Sequence, residues 1–418
     1  MGSLSVLDSD VLVVGAGPAG CAAGILAARQ GFRVNILERN PPGHHKVCGD
    51  LIGPRALQLL QTLEIGWPAM EREGLPIQGI NVYDDRRLKS SARFQVDRAE
   101  HAWAVTLRRD LLDRFLLERA LESGCTAFHD VRFKGIAERG PLGLVCVAGT
   151  RQGDRLFRAR MVLGADGVHS TTARAAGLFR RNPKSRILAV RGYFRNVVGL
   201  RDAVELYFLP QLLPGYAWVI PLGEDLANVG LGLRADACAQ GGVQLGRDLE
   251  RFVREHPRLS RRMKEARPVG RPQASAIGTY GQVMRRVAPH VLLLGDAGNF
   301  ADPLSGEGIF GALQSARTAA DVLKEALDQG QFTEGFLGRY EARCRRPFDG
   351  AYRYAAFLAG LSIREGPWKP VVWWGLNQIQ KHCLLDSEYA RMVAGFFTGL
   401  MPRKRIWRTR WFRRTLVG

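Results

Sequence analysis

Gly15, Gly17 and Gly20 stand in the stretch GAGPAG, directly after the apolar run VLVV at 11–14 and directly before the alanine-rich segment that ends at Arg29. Set between a strand and a helix, such a pattern grips a dinucleotide. Gly15 turns the chain, Gly17 lets backbone approach a pyrophosphate and Gly20 packs helix on strand, with Pro18 and Ala19 completing the turn. The start of the helix favours the phosphate charge. Glu38 closes the run FRVNILER, 18 residues after Gly20, with Arg39 beside it. Its carboxylate can accept hydrogen bonds from ribose hydroxyls and would repel a 2′-phosphate. These residues point to an adenine dinucleotide and leave FAD and NAD both open.

Two later stretches carry acids at the ends of apolar runs. VLGADGVHSTTAR holds Asp166 and Gly167, and VLLLGDAGNFADPLSGEGI holds Gly295 and Asp296, followed by Pro303, Gly306, Gly308 and Ile309. An acid there, beside the N–H groups of a helix start, can bind a ribityl hydroxyl while those N–H groups face a pyrophosphate or an electron-rich flavin edge. A third feature is a lone thiol. KVCGDLIGPRAL sets Cys48 among Gly49, Asp50 and Gly53, either as a buried thiol in a tight loop or as one wall of a cofactor pocket.

The elements that must position these groups follow from the same patterns. The order of short β-branched run, alanine-rich helix and second apolar run is a β-α-β unit. From Arg109 to Leu121, the apolar residues Leu111, Leu112, Phe115, Leu116 and Leu121 suit an amphipathic helix. Residues 79–107 and 186–234 carry strand-like patterns broken by turns, as a second layer inserted into the first. A strand at 290–298 and a long helix from Gly308 to Leu327 come next, and beyond Gly330 the composition turns helical and aromatic.

With 418 residues, 46% hydrophobic, the chain can bury a large interior. Its seven cysteines, at 21, 48, 125, 146, 238, 344 and 383, form no C-x-x-C pair and leave an odd count. That argues against a disulfide scaffold or a zinc ribbon and for a reducing cytosol. No metal site, export signal or membrane-spanning segment is expected. The net charge of +20 is concentrated in part in MPRKRIWRTRWFRRTLVG, where seven Lys or Arg and no acid are interleaved with Trp407, Trp411 and Phe412. A solvated tail would not need those aromatics. They favour peripheral attachment to the inner face of a membrane, with an acidic carrier protein as the other candidate. Nucleic acid is disfavoured because no recognised nucleic-acid fold accompanies the charge.

In their order, the glycine motif and the two acid motifs resemble the p-hydroxybenzoate hydroxylase-like class of FAD proteins. Within that class CGDLIGPRAL is similar to the C-G-G-G-x-x-P-R-A-L loop of the geranylgeranyl reductase family. GYAWVIPLGEDLANVGLG at 215–232 is similar to its Y-x-W-x-F-P-K…N-x-G-x-G segment, PLSGEGI to the segment after its cofactor aspartate, and LRRDLLDRFLLERA to its R-x-x-F-D-x-x-L helix. The resemblance implies an α/β fold: a Rossmann-type FAD-binding domain (1–75, 100–180 and 280–330), an inserted β-rich substrate domain (76–99 and 181–279) and a C-terminal helical cap with a basic tail (331–418). It implies FAD, and reduction of carbon–carbon double bonds in a lipophilic isoprenoid or polyketide-like substrate by hydride from reduced flavin. It would put Cys48 and Gly49 beside the isoalloxazine, Arg109 on the cofactor, and Tyr216, Trp218 and Pro221 along the substrate cavity.

Three positions depart from the family pattern: Asp50 for Gly, Ile220 for Phe and Leu222 for Lys. Asp50 is either a buried general acid or the cap of a helix starting near Pro54. The proton donor is open among Tyr216, Cys48 and water. With no second complete glycine fingerprint, NAD(P)H or another electron donor visits transiently. GYAWVIP is also similar to the W-x-W-x-I-P of flavin-dependent halogenases, but the G-E-S-x-x-P and F-S-S-G patterns of that family are absent. Halogenation, monooxygenation and a redox-neutral FAD-dependent cyclisation stand as the rival chemistries.

Overall fold

The apolar run that opens the chain forms the strand Val6–Val14, inside a mixed sheet of eight strands among the described residues. The computed structural model describes residues 6–361 apart from 45, 67–69, 71, 85–86, 95–103, 181, 214 and 282–283, together with residue 388. Val6–Val14 pairs in parallel with Val34–Leu37 on one side and with Gly153–Gly164 on the other, and Gly153–Gly164 pairs in parallel with Val291–Leu293. Residues Val11 to Val14 are buried, because Val11 and Val13 pack against the helix layer while Leu12 and Val14 pack against Phe133, Leu144 and Cys146 of the strands on the opposite face. This is why the run shows no polar alternation. Leu37, Val14, Gly164 and Leu293 stand in one row across the four strands. The chain therefore leaves each strand at the same edge, into Glu38, Gly15, Asp166 and Asp296 respectively, the edge where parallel sheets take ligands.

Helix Pro18–Arg29 follows the first strand and buries its small residues, Ala19, Gly20, Ala22, Ala23 and Gly24 among them. That smooth face lets helix Ile309–Gln329 pack close, in one core with Leu337, Tyr340, Cys344, Phe348 and Tyr352 of helix Glu334–Leu361. The hydroxyl of Tyr340 donates to the carbonyl of Leu293 (3.0 Å), so this helix is also tied to the first sheet. The basic tail and Cys383 lie outside the described residues. No described helix is long and apolar enough to cross a membrane.

Seven strands among the described residues form the second sheet, in the order Arg267–Gly278, Arg186–Arg195, Ala227–Arg234, Tyr216–Pro221, Ala203–Tyr207, Gly79–Tyr83 and Leu88–Arg93. Alternate residues face opposite ways. Val190, Ala217, Val219, Val229 and Leu231 pack under Leu249 and Phe252, whereas Ala189, Val204, Trp218 and Ile220 form a separate cluster on the other face. A small sheet of Leu51–Ile52, Ala104–Thr106 and Leu75–Ile77 bridges the layers, and Thr106 Oγ1 donates to the carbonyl of Pro221 (2.6 Å).

Two sequence expectations shift. The strand expected at 290–298 ends at Leu293, because Gly295–Gly298 winds into a 3-10 turn with Gly295 at φ +51°. Helix Arg109–Glu122 forms, but its buried stripe is Leu112, Leu116 and Ala120, and Leu121 is 48% exposed. Residues four apart share a face, and Leu121 is turned about 100° from Ala120. Leu121→Lys is accordingly expected to change stability by less than about 0.5 kcal/mol. Leu112→Ala should cost about 2–5 kcal/mol, and urea denaturation of the two variants checks both values.

Candidate functional site

The glycine turn is built from close backbone contacts. Gly15 has φ +104°, and a Cβ there would lie 2.5 Å from the carbonyl oxygen of Ala165, at the neighbouring strand end. At Gly20 a Cβ would fall 1.8 Å from the carbonyl oxygen of Gly15. Around Gly17 a Cβ would meet only the tip of Lys46, at 3.0 Å, so this backbone is open toward a ligand. Pro18 and Ala19 are buried in the first turn of the helix, which has no side-chain cap. Glu38 is also buried, and its Oε2 accepts from the Ala16 N–H (2.9 Å) while Oε1 accepts from the backbone and side chain of Asn40. Burial pushes its carboxyl up, but Lys46, 3.7 Å away, and the Ala16 and Asn40 donors outweigh it and hold the group below its ordinary value. Arg39 is exposed.

The two later acids differ in their surroundings. Asp166 holds the start of the short helix Thr171–Ala175, accepting from Ser170 Oγ, the N–H groups of Thr171 and Thr172, and Thr172 Oγ1. Gly167 beside it has φ +79°. Asp296, in contrast, accepts no side-chain hydrogen bond from the described residues, and burial pushes its carboxyl up to about 6 while Arg109 and Lys46 pull it down. Gly295 brings it against the first helix, since a Cβ on Gly295 would lie 3.0 Å from Ala19 Cβ. A Cβ on Gly308 would lie 3.6 Å from Asp296 Oδ1, so the carboxylate faces the start of helix Ile309–Gln329. Buried Pro303 and Gly306, at φ +71°, shape the loop before that helix, and Glu307 accepts from the Phe310 N–H (2.6 Å). An unbonded carboxylate, the uncapped start of helix Pro18–Arg29 and a bare glycine turn on one sheet edge fit the ribityl and pyrophosphate parts of FAD.

The thiol loop lies between this edge and the second sheet. Asp50, fully buried at φ +61°, does not cap helix Pro54–Thr62, whose cap is Gly53 without a side-chain bond. Its Oδ1 accepts from the Arg109 N–H (3.1 Å), and its Oδ2 from Tyr193 OH (2.7 Å) and Asn228 Nδ2 (2.8 Å). Asn228 Nδ2 also reaches the carbonyl of Cys48 (2.7 Å), and Asn228 Oδ1 accepts from Trp218 Nε1 (2.9 Å). One amide thus holds the thiol loop, the acid and the indole in register. A Cβ on Gly49 would touch Ile220 Cδ1 at 3.3 Å. Burial pushes the Asp50 carboxyl up, against the Tyr193 and Asn228 donors and the charges of Arg191 and Arg109. Burial likewise raises the half-buried Cys48 thiol, against Arg109 beside it. Arg109 is itself buried and held by both oxygens of Asp113 (2.8 and 2.9 Å).

Tyr216 closes the arrangement by donating its hydroxyl to the carbonyl of Ser305, in the loop after Asp296. Burial raises its pKa above the ordinary value. The sequence candidates Cys48, Gly49, Asp50, Trp218 and Arg109 therefore meet in one bonded cluster, which Tyr216 joins to the Asp296 loop. Tyr193, Asn228 and Lys46 join them without having been singled out. Lys46 and Asn228 lie inside stretches already quoted for their glycines and aromatics, whereas nothing local marks Tyr193.

Comparison with known proteins adds the following. The model of the family described as FAD binding domain matches residues 8–353. Digeranylgeranylglycerophospholipid reductase 1 of Methanopyrus kandleri is 34% identical over 86% of this chain and 93% of its own. Digeranylgeranylglycerophospholipid reductase 2 of Methanothermobacter thermautotrophicus is 30% identical over 85% of this chain and 89% of its own. A geranylgeranyl bacteriochlorophyll reductase-like protein of Thermoplasma acidophilum superposes with a TM-score of 0.80 over 96% of this chain and 99% of its own, at 23% identity. The myxobacterial chondrochloren halogenase superposes with a TM-score of 0.70 over 86% of this chain and 84% of its own, at 21% identity. These two structures speak for the fold alone.

Proposed function

Because the chain belongs to the geranylgeranyl reductase family of FAD-dependent oxidoreductases, we propose that it reduces carbon–carbon double bonds of an isoprenoid chain. The observation that carries this reading is the junction of the Cys48 loop with the Tyr216–Pro221 strand, through Asn228, beside the sheet edge that carries the dinucleotide motifs. When bound and reduced, FAD supplies the hydride.

The residues of the chain supply the rest. Gly15, Gly17 and Gly20 cradle the pyrophosphate, Glu38 takes the ribose and Asp296 the ribityl chain. Trp218, Ile220 and Tyr216 offer an apolar wall for the alkene and exclude water. Cys48 Sγ donates the proton to the second alkene carbon, since burial keeps the thiol protonated and the neighbouring Arg109 charge stabilises the thiolate left behind. Water then reprotonates it. The Tyr216 hydroxyl proton is engaged by Ser305 and serves to hold the loop. A reduced nicotinamide nucleotide or another transient donor would supply the electrons for FAD in that site. The basic tail attaches the enzyme to an anionic lipid surface where such substrates reside.

The test is anaerobic. Reduced holoenzyme mixed with a polyprenyl alkene should return to the oxidised flavin spectrum with a saturated bond in the product. A flavin that stays reduced until oxygen is admitted would instead favour halogenation or hydroxylation. The role given to Asp296 has its own signature. Its carboxyl titrates at about 6 in the free site, above the ordinary 3.8, and a hydroxyl donor from the cofactor would lower that value. FAD binding then releases a proton, so affinity rises with pH through this range, about tenfold between pH 5 and pH 7. Quenching of FAD fluorescence measures it, and Asp296→Asn should bind more weakly with no such slope.

A further inference from the structure

We propose that Arg191 is the receptor for an oxyanion carried by the apolar substrate, a phosphate or carboxylate taken by its Nε and Nη2 edge. The inference deepens the reductase reading and rests on it for the identity of the apolar wall beside the Cys48 loop as the substrate site.

Register places the residue. Arg191 is opposite Gly230, and Gly230 is opposite Trp218, while in the next row Tyr193, Asn228 and Ile220 stand opposite one another. Arg191, Tyr193, Trp218 and Ile220 therefore share the face of the sheet on which the Cys48 loop rests. Gly230 has no side chain to fill the row, and a Cβ there would lie 2.3 Å from Trp218 Cζ2, so the indole lies across the gap between Trp218 and the arginine.

The chemistry of Arg191 is incomplete. It is 2% exposed, and neither Nε nor Nη2 has a hydrogen-bond partner among the described residues. Its guanidinium lies 4.3 Å from the centre of the Tyr193 ring, which attracts the charge but accepts no planar N–H fork. The nearby acid, Asp50, feels that charge, yet its oxygens are taken by Arg109, Tyr193 and Asn228. Arg108, also near Tyr193, is committed to Asp110 through Nε and Nη2. A buried arginine with unmade bonds is costly, and Nε with Nη2 form the edge that binds a carboxylate or phosphate in two parallel bonds. On an apolar wall that edge anchors the polar end of an otherwise lipophilic molecule and sets which double bond reaches the Cys48 loop.

The test reads binding without turnover. Oxidised holoenzyme is titrated with fully saturated isoprenoid chains ending in a phosphate, a carboxylate or a hydroxyl, and with inorganic phosphate, following the flavin difference spectrum. The wild type should bind both acidic chains at least about tenfold more tightly than the alcohol, a difference of about 1.4 kcal/mol. Arg191→Gln should abolish that preference and leave alcohol binding within about twofold, and Arg191→Lys should restore part of it. Equal affinity of the wild type for acids and alcohol would overturn the proposal whether or not the variants fold. So would equal weakening of all three chains in Arg191→Gln, the result expected if the arginine only balances Asp50, and so would inorganic phosphate binding as tightly as the chain phosphate. Since no alkene is consumed, a failed reductase assay leaves this result standing, and a failed preference leaves the reductase assay standing.

Discussion

Replacing Gly20 by alanine is expected to yield a protein that keeps no flavin through purification and melts well below the wild type, whereas Gly17→Ala keeps its melting temperature and loses only the cofactor. The new Cβ at position 20 would stand 1.8 Å from the Gly15 carbonyl oxygen, 3.0 Å from its carbon and 3.1 Å from Val13 Cγ1. The first two are backbone, so no side chain can swing aside. Helix Pro18–Arg29 must lift from the strand and disturb the buried layer against helix Ile309–Gln329. Overpacking of this kind costs about 1–3 kcal/mol or more. At Gly17 the backbone has φ −83°, which any residue adopts, and the neighbour is the flexible tip of Lys46. Alanine there fits the fold but occupies the path of the pyrophosphate. Flavin absorbance per mole of protein after desalting, together with thermal melts, separates the outcomes. Two variants that behaved alike would mean that the turn holds no phosphate.

The contrast shows what local pattern carries. Gly15, Gly17, Gly20 and Glu38 are legible because strand, turn, helix and strand follow one another within about thirty residues, and each role belongs to backbone geometry. Asp296 is legible for the same reason, as an acid at the end of an apolar run. Asp166 follows the same pattern, yet its carboxylate is engaged by the helix it precedes, a distinction that only side-chain geometry makes. The cluster around Asp50 has no local signature at all. Tyr193 and Asn228 lie 143 and 178 residues away, and the turn that aims the acid at them rests on one residue at positive φ. Arg191 reads as one more polar position in a half-exposed strand, and the indole lying across Gly230 and the tyrosine ring beside it bury it. Leu121 fails in the other direction, since composition marks it as apolar and a turn of about 100° puts it in water.

Asp50 is where removal of a single side chain should do the greatest damage. Asp50→Ala would take away the carboxylate that accepts from the Tyr193 hydroxyl, an Asn228 amide hydrogen and the Arg109 N–H in a buried site. Each orphaned donor costs about 1–3 kcal/mol, and alanine tolerates the positive φ less well than aspartate. The sum reaches the whole stability of an ordinary domain, about 5–15 kcal/mol, so this variant is expected not to accumulate as folded protein. Asp50→Asn is the informative change. Its single oxygen can serve Tyr193 and Asn228, but its amide then faces the Arg109 N–H, donor against donor, at about 1–3 kcal/mol. Burial raises the Asp50 carboxyl above its ordinary 3.8, so its contribution to stability is fully present below that value and is lost as pH rises through the folded value. Asparagine does not titrate. The stability gap between wild type and Asp50→Asn should therefore be widest near about pH 4 and narrow toward about pH 8, as measured by denaturant titration at both. A gap that widens with pH would mean that the three donors and the Arg191 and Arg109 charges together outweigh burial, and that Asp50 stands in the site as a carboxylate.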